Sequence, residues 1–399
     1  MGRCGFRSIL RLFIVLLFFA LLYICPTDTR AAQTGTSGFS FHVLDVGQGL
    51  SILMETDGHY LLYDGGGRDT SDYVVSFLQK AGVSALDYMV ASHYDEDHLS
   101  GLVGALHRYP CRTVICPDYE TDTKIYESFM EALQQSGAQM IHPKEGDSFS
   151  FGTEETGRSD ETGAGSPGSG VSFQVVTPDS LETGDDNDQS VGIRVAFTKD
   201  GSEKGSFLVC GDAGWTSETY MEFAREEGLI TLDSDIYVAG HHGSGGSSSV
   251  DFLSEVTPSW SVISCGAGNP FGHPHAEALR RLRDCGSKLF RTDLQGGIDG
   301  RVDDNGVSFE QQPSDDWSPG TTGYNSSAAE KAAGTGTAQD SAAAAGDGIT
   351  YVCNQNTMKF HYPDCPSVEQ IKPENRVDSA QTRDVLIDEG YAPCGWCQP

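Results

Sequence analysis

SHYDEDHLSG, residues 92–101, directly follows the apolar, strand-like run DYMVAS, residues 87–92. Two histidines and two aspartates lie within six residues here: His93, Asp95, Asp97 and His98. This mixture of imidazole and carboxylate ligands suits Zn²⁺ or Mn²⁺. Burying the four side chains without a metal would cost desolvation energy. The segment therefore predicts a metal site, and a solvated acidic turn with incidental histidines is the alternative.

Two further apolar, strand-like runs also end in a ligand-type residue beside glycine. GSFLVCGDAG (205–214) delivers Asp212, and SDIYVAGHHGS (234–244) delivers His241 and His242. A carboxylate such as Asp212 can bridge two ions, as in two-metal centres. Coincidence is a poor explanation for three separate strand ends with the same chemistry. A metal site is therefore favoured over the alternative, in which each of these residues caps a turn.

Strands and helices alternate along the first half of the chain. Short β-rich runs within 39–63 precede helical spacing at 71–82, the strand at 87–92, and helical stretches at 99–110 and 123–137. Further strand candidates follow, with a helix in AEALRRLRDCG. This alternation is typical of an α/β layered fold.

The N-terminus has the pattern of an export signal. Three arginines precede an apolar run at 12–25. That run is shorter than the roughly 20 residues of a bilayer span, and its length suits the apolar region of a signal peptide. Residues 1–31 are therefore predicted to be a signal peptide, cleaved before Ala32, or alternatively an N-terminal membrane anchor.

Composition divides the remainder of the chain. Polar stretches rich in glycine and serine predict a flexible surface insertion within one domain and a disordered linker after it. Apolar residues return beyond the linker and predict a small second domain. The predicted segments are a main domain at 39–312 with an insertion at 153–170, a linker at 313–348 and a small domain at 349–399.

The chain is strongly acidic, with a formal net charge of −31. Such a surface attracts cations and repels polyanions at long range. The sequence contains nothing that resembles a basic nucleic-acid-binding stripe. A nucleic-acid substrate would therefore be drawn in by a local basic patch or by bound metal.

The motifs together resemble a known family. HYDEDH resembles the signature of the metallo-β-lactamase superfamily, commonly His-x-His-x-Asp-His, with Asp95 at the second histidine position. LDVGQG, YDGGG, SHYDEDHLSGL, GD, HHGS, FGHPHAEALRRL and LFRTDLQGGI resemble the extracellular hydrolase domain of the competence protein family ComEC, in which this aspartate variant is familiar. The resemblance covers about 39–312 and implies the α/β fold of that superfamily, an αββα sandwich.

The same resemblance implies two divalent ions, Zn²⁺ or Mn²⁺, held by imidazole and carboxylate side chains. It also places Asp188 where the superfamily usually has a further histidine near the first ion. The implied ligands are His93 and Asp95 on one ion, Asp97 and His98 on the other, Asp212 as the bridge, His241 or His242 completing the second site, and Asp188.

Other roles are carried over from the resemblance alone. Asp64 is expected to support the metal loop as an acceptor behind the ligands. His273 is expected to bind substrate or donate a proton, and a turn histidine that caps the following helix is the alternative. The expected catalytic residues are Asp97 and His273. Leu50 departs from the family, whose turn usually reads Gly-Gln-Gly-Asp-Ser, so substrate details do not carry over.

The last 50 residues contain two pairs of metal-ligand residues. KFHYPDC supplies His361 and Cys365, and GYAPCGWC supplies Cys394 and Cys397. This spacing suits a closed tetrahedral zinc site, which commonly stabilises very small domains. The module resembles the Ada-type zinc-binding domain, with a role in DNA or cell-wall attachment. Two disulfides are the alternative.

These observations predict a secreted metal-dependent hydrolase, extracellular or anchored to the outer face of the cytoplasmic membrane. The expected activity is that of a phosphodiesterase or nuclease, in which a water acidified by the ions attacks a phosphoryl centre of a substrate such as DNA. One alternative is a phosphodiesterase for small or cell-wall phosphoesters. The other is a non-catalytic protein that binds DNA or the cell wall.

Overall fold

The computed structural model describes residues 38–152, 170–177, 185–321, 351–355, 357–362, 368, 371–379, 386 and 391–394. The predicted export signal, nearly all of the insertion and most of the linker lie outside these residues. Among the described helices, none is both long enough and apolar enough to cross a membrane.

The main domain contains fifteen strands and seven α-helices among its described residues. The strands are β1 (Phe39–Val43), β2 (Ile52–Thr56), β3 (His59–Tyr63), β4 (Leu86–Val90), β5 (Cys111–Ile115), β6 (Gln139–Ile141), β7 (Ser148–Phe151), β8 (Gly170–Val175), β9 (Ile193–Lys199), β10 (Ser202–Val209), β11 (Ile236–Val238), β12 (Trp260–Ile263), β13 (Lys288–Arg291), β14 (Ile298–Asp303) and β15 (Gly306–Phe309). The helices are α1 (Ser71–Lys80), α2 (Glu96–Arg108), α3 (Lys124–Ser136), α4 (Trp215–Glu226), α5 (Val250–Val256), α6 (Ala276–Asp284) and α7 (Thr292–Gln295).

The strands form two packed sheets. One sheet has the order β15-β14-β1-β2-β3-β4-β5-β6, and the other has the order β13-β12-β11-β10-β9-β8-β7. Their inner faces share one core, in which the rings of Phe41 and Phe207 lie 5.0 Å apart, as do those of Tyr88 and Phe173. The two sheets thus form the double layer at the centre of the domain.

Helices cover both outer faces. Apolar residues of α1, α2 and α3 pack on the first sheet, and those of α4, α5 and α6 pack on the second. This is the layered arrangement that buries one face of each helix and both faces of each sheet. The predicted αββα sandwich is confirmed.

Local structure differs from the sequence prediction at several places. α2 begins at Glu96 rather than at 99, with Asp95 as its N-cap residue and acidic residues in its first turn, where the helix dipole favours negative charge. The strands β6, β7, β14 and β15 were not predicted. Cys111 and Cys116 are free and buried.

The predicted linker does not begin at 313. Ser314 pairs with Leu289 of β13, and the guanidinium of Arg291 donates to the carbonyl of Ser318 at 2.5 Å. The ring of Trp317 packs against the core cluster of the second sheet and its helices. A backbone bridge, the Arg291 hydrogen bond and the Trp317 ring thus hold residues 314–318 on the domain.

The C-terminal module contains a third sheet. Its strands are β16 (Tyr351–Asn354), β17 (Lys359–His361), β18 (Arg376–Ser379) and β19 (Ala392–Pro393), in the order β18-β16-β17-β19. His361 and Cys394 are buried there. Cys365 and Cys397 lie outside the described residues, so the zinc site remains a prediction.

Candidate metal centre

The ends of three strands meet where the two sheets converge. His93 follows β4, Asp212 follows β10, and His242 follows β11. The sheets are joined at this point because the amide of Val191 donates to the carbonyl of Ser92 at 2.7 Å. The carboxyl ends of these strands therefore deliver ligand-type side chains to one crevice.

Four ligand-type side chains are in close contact in this crevice. Nε2 of His98 lies 3.3 Å from Oδ1 of Asp212 and 3.3 Å from Nε2 of His242. Nε2 of His242 lies 3.3 Å from Oδ2 of Asp212 and 3.6 Å from Oδ2 of Asp97. The donor atoms form two groups, each within 4.8 Å: His93, His98 and Asp212, and Asp97, His98 and His242.

The donor set fits divalent metal ions. Nε2 of His93 and Oδ1 of Asp212 are buried and have no hydrogen-bond partner among the described residues. Such orphaned atoms are costly unless a cation satisfies them. Imidazole and carboxylate donors together suit Zn²⁺ or Mn²⁺.

The far ring nitrogens orient two of the histidines. Nδ1 of His98 lies 2.7 Å from Oδ2 of Asp64, and Nδ1 of His242 lies 2.9 Å from the carbonyl of Ser264. Each Nδ1 donates to its acceptor in the metal-ligating state, so each Nε2 presents a lone pair toward Asp212. Two lone pairs that face each other at 3.3 Å need a cation between or beside them.

The charges of the cluster support each other strongly. Burial opposes the charge of His98, but the carboxylates of Asp212, Asp64 and Asp97 outweigh it and raise its pKa well above the ordinary value. Burial also opposes the charge of Asp212, but His242, His98 and His241 outweigh it and hold its pKa well below the ordinary value. The pKa of His242 rises to about 9 despite its burial, chiefly because of Asp212. The carboxylates of the cluster therefore stabilise positive charge at this place, whether on the imidazoles or on a bound cation.

Asp64 and Ser92 support this cluster from behind. Asp64 accepts hydrogen bonds from the amide and the hydroxyl of Ser92, both at 2.7 Å, in addition to the one from His98. The hydroxyl of Ser92 also lies 3.0 Å from Nδ1 of His93. Asp64 thus lies behind His98 and, through Ser92, behind His93, and its role in supporting a metal stays a prediction.

Close backbone packing holds the first turn of α2. The amide of Gly65 donates to the carbonyl of His98 at 2.6 Å, and a Cβ on Gly101 would overlap the carbonyl oxygen of Gly65. The amide of Leu50 donates to the carbonyl of Asp97 at 3.3 Å. Glycine in YDGG and in DHLSG thus allows the loop after β3 to contact the turn that bears two ligands.

The loop that bears His241 and His242 has unusual backbone geometry. Both residues have positive φ, 49° and 56°, a conformation that non-glycine residues adopt at a cost. Arg281 stabilises the rest of this loop by donating to the carbonyls of Gly245, Ser247 and Ser248 at 2.7–2.8 Å. The surrounding structure therefore enforces the orientation of His242.

Three predicted ligands lie at the margin of the cluster. The side chain of Asp95 is 57% exposed, with Oδ2 3.7 Å from Nε2 of His93. Nε2 of His241 lies 3.6 Å from Oδ2 of Asp212. Asp188 is buried, but its Oδ1 accepts from the hydroxyl of Ser217 at 3.2 Å, and it is in neither donor group. His98 belongs to both donor groups, whereas the resemblance assigns it to one ion, so the division of ligands stays a prediction.

His273 lies beside the cluster and is almost completely buried, at 5% exposure. Its ring centroid is 5.6 Å from that of His241 and 6.3 Å from that of His242. Burial, reinforced by the neighbouring histidines, lowers its pKa to about 2, so the ring is neutral at physiological pH. It does not cap the next helix with its side chain, because His275 is the N-cap residue of α6.

Sequence reasoning missed four residues that hold the site. Ser92 contacts His93, Ser264 contacts His242, and the hydroxyl of Ser190 accepts from the amide of Asp212 at 3.1 Å. Gln48 contacts His273. Ser92 and Gln48 lie inside motifs that the resemblance covers. Their place in these motifs is the one feature of the sequence that could have indicated their roles. No feature of the sequence indicates the roles of Ser190 and Ser264, because these roles depend on tertiary contacts.

The comparisons with known proteins agree with this geometry. Residues 44–180 match the metallo-beta-lactamase superfamily. Recombination protein 2 of Haemophilus influenzae is 30% identical over 301 residues, which cover 74% of this chain and 31% of that protein. Competence protein ComA of Neisseria gonorrhoeae is 30% identical over 275 residues, which cover 67% of this chain and 33% of that protein. The chain spans about a third of the length of these relatives.

Among solved structures, the metallo-beta-lactamase fold protein YhfI of Bacillus subtilis is 12% identical with a TM-score of 0.37, over 66% of this chain and 100% of that one. The family match and the curated relatives identify this chain as the carrier of a metallo-beta-lactamase superfamily domain that is homologous to competence proteins. That superfamily is generally hydrolytic and usually binds divalent metals, as the donor set here would allow.

Proposed function

We propose that this chain is a metal-dependent phosphodiesterase with nuclease activity. The observation that carries the proposal is the pair of donor groups that share His98, with orphaned donor atoms on His93 and Asp212. Two adjacent ions are the arrangement by which proteins neutralise the charge of a phosphoryl group and activate water for its hydrolysis. The similarity to a recombination protein and a competence protein favours DNA as the substrate.

The residues of the chain divide the work. Asp97, His98, Asp212 and His242 would hold the ions together with His93. Asp64 and Ser264 keep the imidazoles in the ligating tautomer. His273 would contact the bound substrate. We further propose that the protein acts outside the cytoplasm, secreted or anchored, as the apolar run at 12–25 suggests.

The net charge of −31 favours a second candidate substrate. A polyanion as long as duplex DNA is repelled by such a surface, whereas a small phosphodiester or a phosphoester on a cell-wall polymer is repelled less. The two substrate classes are therefore distinguished by size rather than by chemistry.

The test measures hydrolysis of bis(p-nitrophenyl) phosphate and of single-stranded DNA by the metal-free chain, with and without added Mn²⁺ or Zn²⁺. Asp97→Ala removes a ligand and is expected to abolish both activities. Glu96→Ala is the matched control, because its exposed carboxylate in the same helical turn pairs only with Arg68 at 3.0 Å among the described residues.

Each outcome of this test decides between the candidates. Metal-dependent cleavage of both substrates, lost in Asp97→Ala but kept in Glu96→Ala, supports the nuclease. Cleavage of the small ester alone supports the second candidate. If neither is cleaved under any metal, the phosphodiesterase proposal is wrong and a binding role takes its place.

For the C-terminal module we propose a structural zinc ion held by His361, Cys365, Cys394 and Cys397. Nδ1 of His361 is buried without a hydrogen-bond partner among the described residues, which is costly unless an ion satisfies it. Zinc released by a thiol-blocking mercurial, and lost in Cys397→Ser, would support the site. Two disulfides in place of free thiols would contradict it.

A further inference from the structure

Gln48, in the loop between β1 and β2, joins His273 to a backbone amide. Its Nε2 lies 3.3 Å from Nδ1 of His273, and the amide of Gly266 donates to its Oε1 at 3.4 Å. A backbone N–H can only donate, so the side-chain oxygen must face Gly266 and the NH₂ group must face His273. The orientation of the Gln48 amide is therefore fixed by a group that cannot change its role.

This orientation determines where the His273 ring carries its proton. An NH₂ group can only donate, so Nδ1 of His273 must accept, and the proton of the neutral ring lies on Nε2. Among the described residues the ring makes its hydrogen bond at Nδ1, which leaves Nε2 free to donate. The result is a neutral imidazole with an unused Nε2–H donor.

The backbone on both sides of the ring is held rigidly. Asn269 donates to the carbonyl of His273 at 2.6 Å and accepts from its amide at 3.0 Å. The loop that bears Gln48 is close enough to Gly266 that a Cβ there would lie 2.7 Å from the Gln48 nitrogen. The Nε2–H donor of His273 is thus already in position beside the candidate metal centre before substrate binds.

We propose that Gln48 is a positioning residue that locks His273 in the Nε2–H tautomer, so that the neutral ring donates a hydrogen bond to an oxygen of the bound phosphodiester. The inference rests on the proposed function. No proton is transferred, because a neutral imidazole that gave up its Nε2 proton would become an anion. His273 therefore binds and stabilises the substrate charge, and it does not serve as the acid that protonates the leaving group.

The tautomer is measurable without metal or substrate. Two-bond ¹⁵N–¹H correlations on histidine-labelled protein distinguish the protonated ring nitrogen from the bare one, with His273→Gln to assign the signal. The wild type is expected to show the Nε2–H form. Gln48→Glu places an oxygen acceptor on each side and is expected to move the proton to Nδ1. An Nδ1–H form in the wild type would overturn the inference, whatever the enzymatic activity.

Kinetics then test the role. With a phosphodiester substrate, Gln48→Glu is expected to lower kcat/KM by roughly 100- to 1,000-fold, as loss of one aligned donor does elsewhere. Gln135→Glu, on the exposed face of α3, controls for the added negative charge. His273→Gln, which retains a side-chain N–H, is expected to keep more activity than His273→Ala.

The two measurements separate the two hypotheses. If the tautomer is as expected but no phosphodiester is cleaved by the wild type, the proposed function fails and the tautomer assignment stands. If cleavage occurs and Gln48→Glu moves the proton without changing kcat/KM, the role of His273 as donor is refuted. Unfolding temperatures of the variants exclude loss of fold as the cause.

Discussion

Oδ2 of Asp64 lies 2.7 Å from Nδ1 of His98, and neither side chain is exposed to solvent. Asp64 has a positive φ of 55°, which is unusual for a residue other than glycine. Its amide donates to the carbonyl of Val90 at 2.9 Å, and its carbonyl accepts from the hydroxyl of Ser51 at 3.1 Å. The backbone is thus held in a costly conformation that aims the carboxylate at the histidine.

Replacing Asp64 by Asn should weaken metal binding. The new NH₂ group would face Nδ1 of His98 and Ser92 in place of an acceptor, so the His98 proton would move to Nε2, the ligating atom. We expect the affinity for Mn²⁺ or Zn²⁺ to fall roughly 10- to 100-fold, as is typical for residues behind a metal ligand. Isothermal titration of the metal-free protein measures this.

A matched control exists in the same sheet. Asp87 also contacts a histidine, with Oδ1 3.1 Å from Nδ1 of His59, and also accepts from a backbone amide, that of Tyr60. Asp87→Asn should leave metal affinity unchanged. Equal losses in the two variants would mean that a general effect on the sheet, rather than the orientation of His98, explains the result.

The adjacent histidines should differ in their contribution to metal binding. His242 is buried, is oriented by Ser264 and contacts both Asp212 and His98, whereas His241 is 25% exposed and has one contact with Asp212 at 3.6 Å. His242→Gln should therefore lose far more affinity than His241→Gln. Metal stoichiometry and affinity of the two variants answer this directly, and an inverted order would assign the ligand to His241.

Much of this fold and its principal cluster could be predicted from the sequence. Candidate ligands such as Asp212 and His242 stand at the ends of apolar runs beside glycine, where period and composition are informative. Chain position could not show that His98 lies in both donor groups, because that depends on how two sheets meet. The role of Ser264 could not be predicted from the sequence, because it contacts His242 through its backbone carbonyl, which every residue has.

The close contact between Gly101 of α2 and the backbone of Gly65 leads to a prediction about stability. A methyl group on Gly101 would overlap the backbone of Gly65, which cannot move without shifting the loop after β3. Gly101→Ala should cost about 1–3 kcal/mol of unfolding free energy or more, and should weaken metal binding by displacing the first turn of α2. Urea unfolding and metal titration check the two effects.

Gly170 at the start of β8 provides the control, because a Cβ there meets no atom of the described residues within 4 Å. Gly170→Ala should be close to neutral. A Gly101→Ala variant as stable as Gly170→Ala would show that α2 and the glycine loop can separate without cost, which would remove the role assigned to this contact.

Glu218 makes the stability of the protein depend on pH. Its carboxyl is buried in α4 and accepts from the amides of Ser248 and Ser249, in the loop that follows His242. Burial outweighs these hydrogen bonds and the charge of Arg281, and it raises the pKa of Glu218 from 4.5 to about 7. Between these values the folded protein retains a proton that the unfolded chain releases, so the contribution to stability falls as pH rises.

The size of this effect follows from about 1.4 kcal/mol per pKa unit, which gives a loss of up to about 3 kcal/mol between about pH 4.5 and pH 7. Glu218→Gln cannot titrate, so its unfolding free energy should improve relative to the wild type across this range. Urea unfolding of both proteins at several pH values measures the difference, with Glu226→Gln, exposed at the end of α4, as the control. Parallel pH profiles would mean that the carboxylate is charged throughout, stabilised by Arg281 and the two amides.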